Sequence, residues 1–294
     1  MRNLVSLLFA LALSAPGARA ATPAEIVASA PASAWTDIAA EDLLIMEFGD
    51  GKRVIIQLST QFSDAHVANI RKLATAHWWD GASIYRVQDN YVVQWGDRSE
   101  KKPLPDGVAK TLPEEYSVDR KAVEDRVTIM PSSDSYAKTT GFLDGWPVAM
   151  NAGTLWPIHC YGMVGAGRNL APDAGNGAEL YAVIGHAPRH LDRNIALVGR
   201  VVEGMEHFSS LSRGTQALGM YGPDQTAVPI LSVRLASDLP RQAQPHFQML
   251  DTRSKIFADY ARVRENRHDA FFAVPAGGAD ICNIPVPMRR RPDS

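Results

Sequence analysis

From Leu43 onward, apolar and polar positions alternate over short stretches divided by turn residues, the pattern of a strand-rich chain. Leu44-Ile45-Met46-Glu47-Phe48 and Val54-Ile55-Ile56-Gln57-Leu58 flank Gly49-Asp50-Gly51-Lys52, which predicts a β-hairpin. Ser63 or Asp64 can cap a helix from Ala65 to about His77, with Val67, Ile70, Leu73 and Ala74 on one face and Asp80-Gly81 ending it. A second hairpin runs from Ala82 to Val87, turns at Asp89-Asn90 and returns from Tyr91 to Gln94. Strand patterns recur over 162–164, 180–184, 195–202 and 230–235, with a short helix over 203–211. Residues 251–267 read as an amphipathic helix, with Ile256, Phe257, Tyr260 and Val263 on one side. Residues 21–41, rich in Ala, Pro and Ser, read as a linker or weak helix, and 98–158 as polar, irregular loops. There is no internal repeat and no alternation of strand with helix. The expected fold class is therefore mainly β, a closed antiparallel barrel capped by two α-helices, with a C-terminal helical extension over 237–294.

Composition refines this at the N-terminus. Arg2, the apolar run from Leu4 to Leu13 and Ala18-Arg19-Ala20 form the pattern of an export signal over residues 1–20, cleaved before Ala21. The run is shorter than the roughly 20 apolar residues a membrane span needs. The expectation is a periplasmic or secreted protein with no stable membrane insertion after cleavage. Thirty basic and 32 acidic side chains give a formal charge of −2, so no strong global field draws in nucleic acid, and none is expected as a partner. Export leaves two readings open for Cys160 and Cys282: a disulfide, or two small apolar core residues.

Several candidate motifs dissolve on inspection. Gly165-Ala166-Gly167 begins like a dinucleotide loop, but Leu170 stands at the third glycine, and a turn is the expected reading. His186 and His190 have helical metal-ligand spacing, yet Pro188 lies between them. No Gly-x-Ser-x-Gly elbow is present, which speaks against a hydrolase. Arg289-Arg290-Arg291 reads as a solvated tail. Residues 84–97 differ: Ile84-Tyr85-Arg86-Val87-Gln88-Asp89-Asn90-Tyr91-Val92-Val93-Gln94-Trp95-Gly96-Asp97 resembles the signature of the cyclophilin-type peptidyl-prolyl cis/trans isomerases. Asn176-Gly177-Ala178-Glu179-Leu180-Tyr181, Leu191-Asp192 and 197–205 are similar to further family segments, in order, so that the resemblance covers about 42–236.

The resemblance implies an eight-stranded barrel over 42–236 and an enzyme that speeds X-Pro isomerisation in proline-containing polypeptides, here during folding of exported proteins. The alternative is a catalytically weak chaperone or binding module of the same fold. It places Arg86 at the catalytic arginine, and Tyr91, Gln94 and Tyr181 at the substrate pocket. Glu179 stands where the family has glutamine, Arg168 at the substrate ledge in place of asparagine, and His190 at an aromatic pocket position. Trp95 replaces a glycine. The chemistry requires no metal, cofactor or nucleophile. The barrier of about 18–20 kcal/mol is amide resonance, and a permanent cation aimed at the amide can lower it.

Overall fold

Each strand of the central domain turns an apolar row inward. Leu44, Met46, Phe48, Val54 and Ile56 meet Val93, Trp95, Leu180, Ala182 and Val233 in one core. The structure, a computed structural model, describes residues 21–292 apart from 100, 133, 270 and 273. Around the barrel the order is Met163–Ala166, Leu180–Val183, Val92–Gly96, Ser83–Val87, Val228–Leu235, Leu43–Phe48, Lys52–Leu58 and Leu197–Glu203, and the last strand pairs again with the first. All pairings are antiparallel, and closure leaves no free edge. The eight-stranded barrel is therefore present. The segment 1–20, read as an export signal, lies outside the described residues.

Two helices pack on this core as expected. Asp64–Thr75 contributes Val67, Ile70, Leu73 and Ala74, and Met205–Ser209 contributes Phe208. The Phe208 ring stacks on Phe48 at 5.4 Å and on Trp95 at 5.3 Å. Trp95, at the family's glycine, thus fills the barrel interior. Ser63 precedes the longer helix without capping it; its hydroxyl donates to the Leu197 carbonyl. The free N–H groups of Ala65 and His66 donate instead to the Glu115 carboxylate, an anion where the helix dipole favours one.

Three segments differ from the sequence expectation. Residues 98–158, read as loops, hold a five-stranded antiparallel sheet in the order Val118–Asp119, Thr154–Pro157, Trp146–Met150, Thr139–Leu143, Val127–Ile129. Its central hairpin turns at Asp144-Gly145 with φ of 46° and 83°, the left-handed pair that a two-residue hairpin demands. Residues 21–41, read as a linker or weak helix, do contain a short helix, Pro23–Ala28, started by a Thr22–Glu25 capping box, but also the unexpected strand Trp35–Ile38. That strand pairs with Phe247–Leu250, far downstream, so no local pattern announces it. Phe247–Leu250 also pairs with Met288–Arg290, which draws in the basic run read as a tail. Arg289 lies 3.9 Å from the Trp35 ring centre, and Arg290 pairs with Glu203.

The extension carries the amphipathic helix as Lys255–Glu265. Its Phe257 and Tyr260 join Phe142, Trp146 and Trp156 of the added sheet in a second core against the barrel. Cys160 and Cys282 are bridged, tying this extension to the segment before Met163. The bridge spans 122 residues of sequence, so it removes much loop entropy from the unfolded chain. Cys282→Ala is expected to lower stability by about 2–4 kcal/mol, read as a lower urea midpoint than wild type under oxidising conditions. An unchanged midpoint would show that the bridge adds nothing to the packing around it. Among the described residues no helix is long and apolar enough to cross a membrane.

Candidate active site

Three neighbouring barrel strands place the site residues in one row. Arg86 lies opposite Gln94 across the pair Ser83–Val87 and Val92–Gly96, and Gln94 lies opposite Tyr181 in Leu180–Val183. Ile84 and Val87 are both in the barrel core although three residues apart. Strict alternation forbids this, and the register shift between Ile84 and Arg86 permits it. The bulge leaves Tyr85 and Arg86 side by side at the rim of an outer cleft of about 540 Å³, lined also by Tyr91, Gln94, Arg168 and Tyr181. Its apolar floor is a small cluster of Val92, Tyr181 and Val183, against which Tyr91, Leu191 and Ile195 pack.

The Arg86 guanidinium is held by three neutral acceptors. Nε donates to the Leu218 carbonyl at 2.8 Å, Nη1 to Gln94 Oε1 at 2.9 Å and Nη2 to Gln88 Oε1 at 2.7 Å. A guanidinium has five N–H donors, so two remain for a ligand. Burial lowers the Arg86 pKa from its usual range, with the surrounding tyrosines opposing the shift, and it stays charged. Its carbon lies 5.9 Å from the Tyr91 ring centre. His190 stacks on the same ring at 5.8 Å, with Nε2 3.3 Å from the Tyr91 hydroxyl. Burial pushes the Tyr91 hydroxyl upward, and the Tyr181 hydroxyl far more, so both are neutral.

Arg168 borders the cleft and an adjoining cavity of about 330 Å³. It is pinned by bonds to the carbonyls of Asn194 at 2.9 Å and Asn169 at 2.7 Å. Glu179 lines the adjoining cavity, not the cleft; it reaches the cleft through Tyr85, whose hydroxyl lies 2.5 Å from Oε2. His190 touches the cleft only through Tyr91. Gly165, expected in a turn, is in the strand Met163–Ala166. A Cβ there would sit 2.3 Å from the Tyr181 hydroxyl, so the glycine makes room for that ring. Residues missed by the sequence are Tyr85, Gln88 and Leu218. Tyr85 adjoins Arg86 in the motif, but Leu218 gives no local signal: its carbonyl reaches Arg86 from a loop, with φ of 60°. Among the described residues no group of three His, Cys, Asp or Glu is placed to hold a metal ion.

A cation beside a cleft with an apolar floor fits the rotation of an amide. The family described as cyclophilin type peptidyl-prolyl cis-trans isomerase/CLD matches residues 43–235. The chain belongs to that family. It is a peptidyl-prolyl cis-trans isomerase that binds proline-containing peptides. In fold it is similar to the crystal structure of cyclophilin AquaCyp293 from Hirschia baltica, at 22% identity, a TM-score of 0.69, and coverage of 88% of this chain and 95% of that one. A Cryptosporidium parvum cyclophilin type peptidyl-prolyl cis-trans isomerase, in the presence of the dipeptide Ala-Pro, matches at 10% identity and a TM-score of 0.40, covering 66% and 98%. No curated protein matches.

The isomerase has a simple physical task. An X-Pro bond has nearly balanced isomers but exchanges only over tens to hundreds of seconds. Twisting it breaks resonance, and the nitrogen becomes pyramidal and more basic. Charged donors fixed beforehand stabilise such a change without reorganising as it occurs. An apolar cleft that holds the pyrrolidine ring lets the preceding residue turn.

Proposed function

We propose that this isomerase acts on exported polypeptides outside the cytoplasm, with Arg86 as the group that acts on the amide and Tyr91 and Tyr181 as the aromatic surfaces that hold the proline ring. Gln94 holds Arg86 and offers its amide to the substrate backbone; Arg168 bounds the ledge, and His190 backs Tyr91. The observation that carries this assignment is the row of Arg86, Gln94 and Tyr181 across three paired strands, above the apolar floor. The export pattern over 1–20 and the Cys160–Cys282 bridge support the compartment, because disulfides persist where conditions are oxidising.

The test measures cis/trans exchange of an Ala-Pro peptide by NMR, with wild type and Tyr91→Ala side by side. Wild type is expected to accelerate exchange, and Tyr91→Ala to weaken peptide binding by about tenfold, the loss of one aromatic contact in a cleft. Peptide binding without acceleration would replace the catalytic reading by that of a chaperone. In the native cell, the mature protein is expected in the periplasmic fraction with Ala21 at its N-terminus. Intact residues 1–20 on membrane-bound protein would refute the assigned compartment.

A further inference from the structure

Glu179 is joined to Arg86 by an unbroken chain of hydrogen bonds. Its Oε2 lies 2.5 Å from the Tyr85 hydroxyl; Gln94 Nε2 donates to that hydroxyl at 2.9 Å; Gln94 Oε1 accepts from Arg86 Nη1 at 2.9 Å. Gly96 leaves room for this carboxylate, since a Cβ there would lie 2.0 Å from Oε1. A phenol has one proton. While Glu179 is ionised that proton goes to the carboxylate, and Tyr85 can only accept from Gln94. The amide must then turn its NH2 to Tyr85 and its oxygen to Arg86. A protonated Glu179 removes the constraint. Its own O–H can donate to Tyr85, the phenol O–H turns to donate to Gln94 Oε1, and the amide NH2 faces the guanidinium, donor against donor.

We propose that Glu179 and Tyr85 are positioning residues for isomerisation: the ionised carboxylate, acting through the Tyr85 hydroxyl, fixes the Gln94 amide in the one orientation that holds Arg86 in the cleft. The reaction is therefore faster when Glu179 is ionised. Burial is the main cause that pushes this carboxyl up to about 7; bonds from Tyr85, the Asp97 N–H and Gln94 oppose it, and the Asp97 charge adds to it. Other charged groups in the same cavity are Asp97, Lys102, Lys110, Arg168 and Asp173. Burial raises Asp97 and Asp173, but backbone N–H groups of Lys102 and Ser99, and of Asn169 and Gly175, outweigh it and hold both below the usual carboxylate range. Lys102 is engaged by the carbonyls of Trp78 and Asp80. The cleft itself is lined by Arg86, Arg98, Arg168, Tyr91 and Tyr181, with His190 stacked behind Tyr91.

The test measures kcat/KM for an Ala-Pro peptide with blocked, uncharged ends by NMR exchange, from about pH 5.5 to about 8.5, which spans the titration of a carboxyl raised to about 7. Wild type is expected to rise roughly threefold or more across that range, the scale of one hydrogen bond. Tyr85→Phe leaves Glu179 in place but removes the hydroxyl between it and Gln94, and its profile is expected to be flat at or below the low-pH rate. Glu179→Gln is also expected to be flat, and His190→Gln to keep the step. A flat wild-type profile overturns the proposal. So does a step that survives in folded Tyr85→Phe, which would mean Glu179 acts on Gln94 or on the peptide without the Tyr85 hydroxyl. Should Tyr85→Phe fail to fold, a step persisting in Glu179→Gln overturns it equally.

Discussion

Arg86→Ala is expected to lower kcat/KM for X-Pro isomerisation at least tenfold, about 1.4 kcal/mol of barrier, with little change in melting temperature. The guanidinium supplies the positive charge in the row with Gln94 and Tyr181, and alanine leaves no cation in that row to stabilise the developing lone pair. Its three acceptors, the Leu218 carbonyl, Gln94 and Gln88, lie in a half-open cleft where water can replace the donor, so folding loses little. Arg86→Lys should recover only part of the rate. An ammonium keeps the charge, but it cannot hold three acceptors in one plane and still present further donors. NMR exchange on an Ala-Pro peptide, with calorimetry on the same samples, checks both halves. Normal turnover by stable Arg86→Ala protein would rule out the guanidinium as the acting group.

What the chain reveals locally and what it hides follow from where partners lie. Hairpins such as 43–58 and 82–94 join neighbours in sequence through short turns, so alternation and turn residues show them directly. The site residues Arg86, Tyr91 and Gln94 come from one such hairpin, which folds back to set Gln94 opposite Arg86. The strand Trp35–Ile38 is different: its partner Phe247–Leu250 lies in the extension, and the local Ala-Pro-Ser composition outweighs its signal. The added sheet within 98–158 was marked only by Asp144-Gly145, because strands such as Val118–Asp119 and Val127–Ile129 are too short for a period to emerge. Pro147 inside Trp146–Met150 further disguises the hairpin's second strand. The role of Tyr85 was hidden for another reason. Alternation would turn Tyr85 and Arg86 to opposite faces, and only the bulge brings both outward.

Behind the cleft, the buried charges predict the largest loss of stability. Asp192→Ala is expected to cost about 3–5 kcal/mol, because it breaks a buried pair and leaves its partners uncompensated. Oδ2 takes Arg189 Nε at 2.6 Å, while Oδ1 takes both the backbone N–H of His159 at 3.0 Å and its ring Nδ1 at 3.1 Å. Arg189 bonds Asp134 on its other side at 2.6 Å and lies 4.0 Å from Asp280, so removing Asp192 leaves one close and one distant acid around a buried arginine. The buried His159 N–H loses its acceptor at the same time. A drop in melting temperature on the order of 10 °C should follow for a chain of this size. Asp192→Asn keeps an acceptor for the His159 N–H but not the charge facing Arg189, and should fall between the two. The damage should reach the cleft before the fold is lost, since the His159 ring stacks on Tyr181 at 6.3 Å and Tyr181 forms the floor. Peptide binding should therefore weaken at temperatures where Asp192→Ala is still folded. Wild-type stability in that variant would mean that Asp134 and Asp280 suffice to hold Arg189.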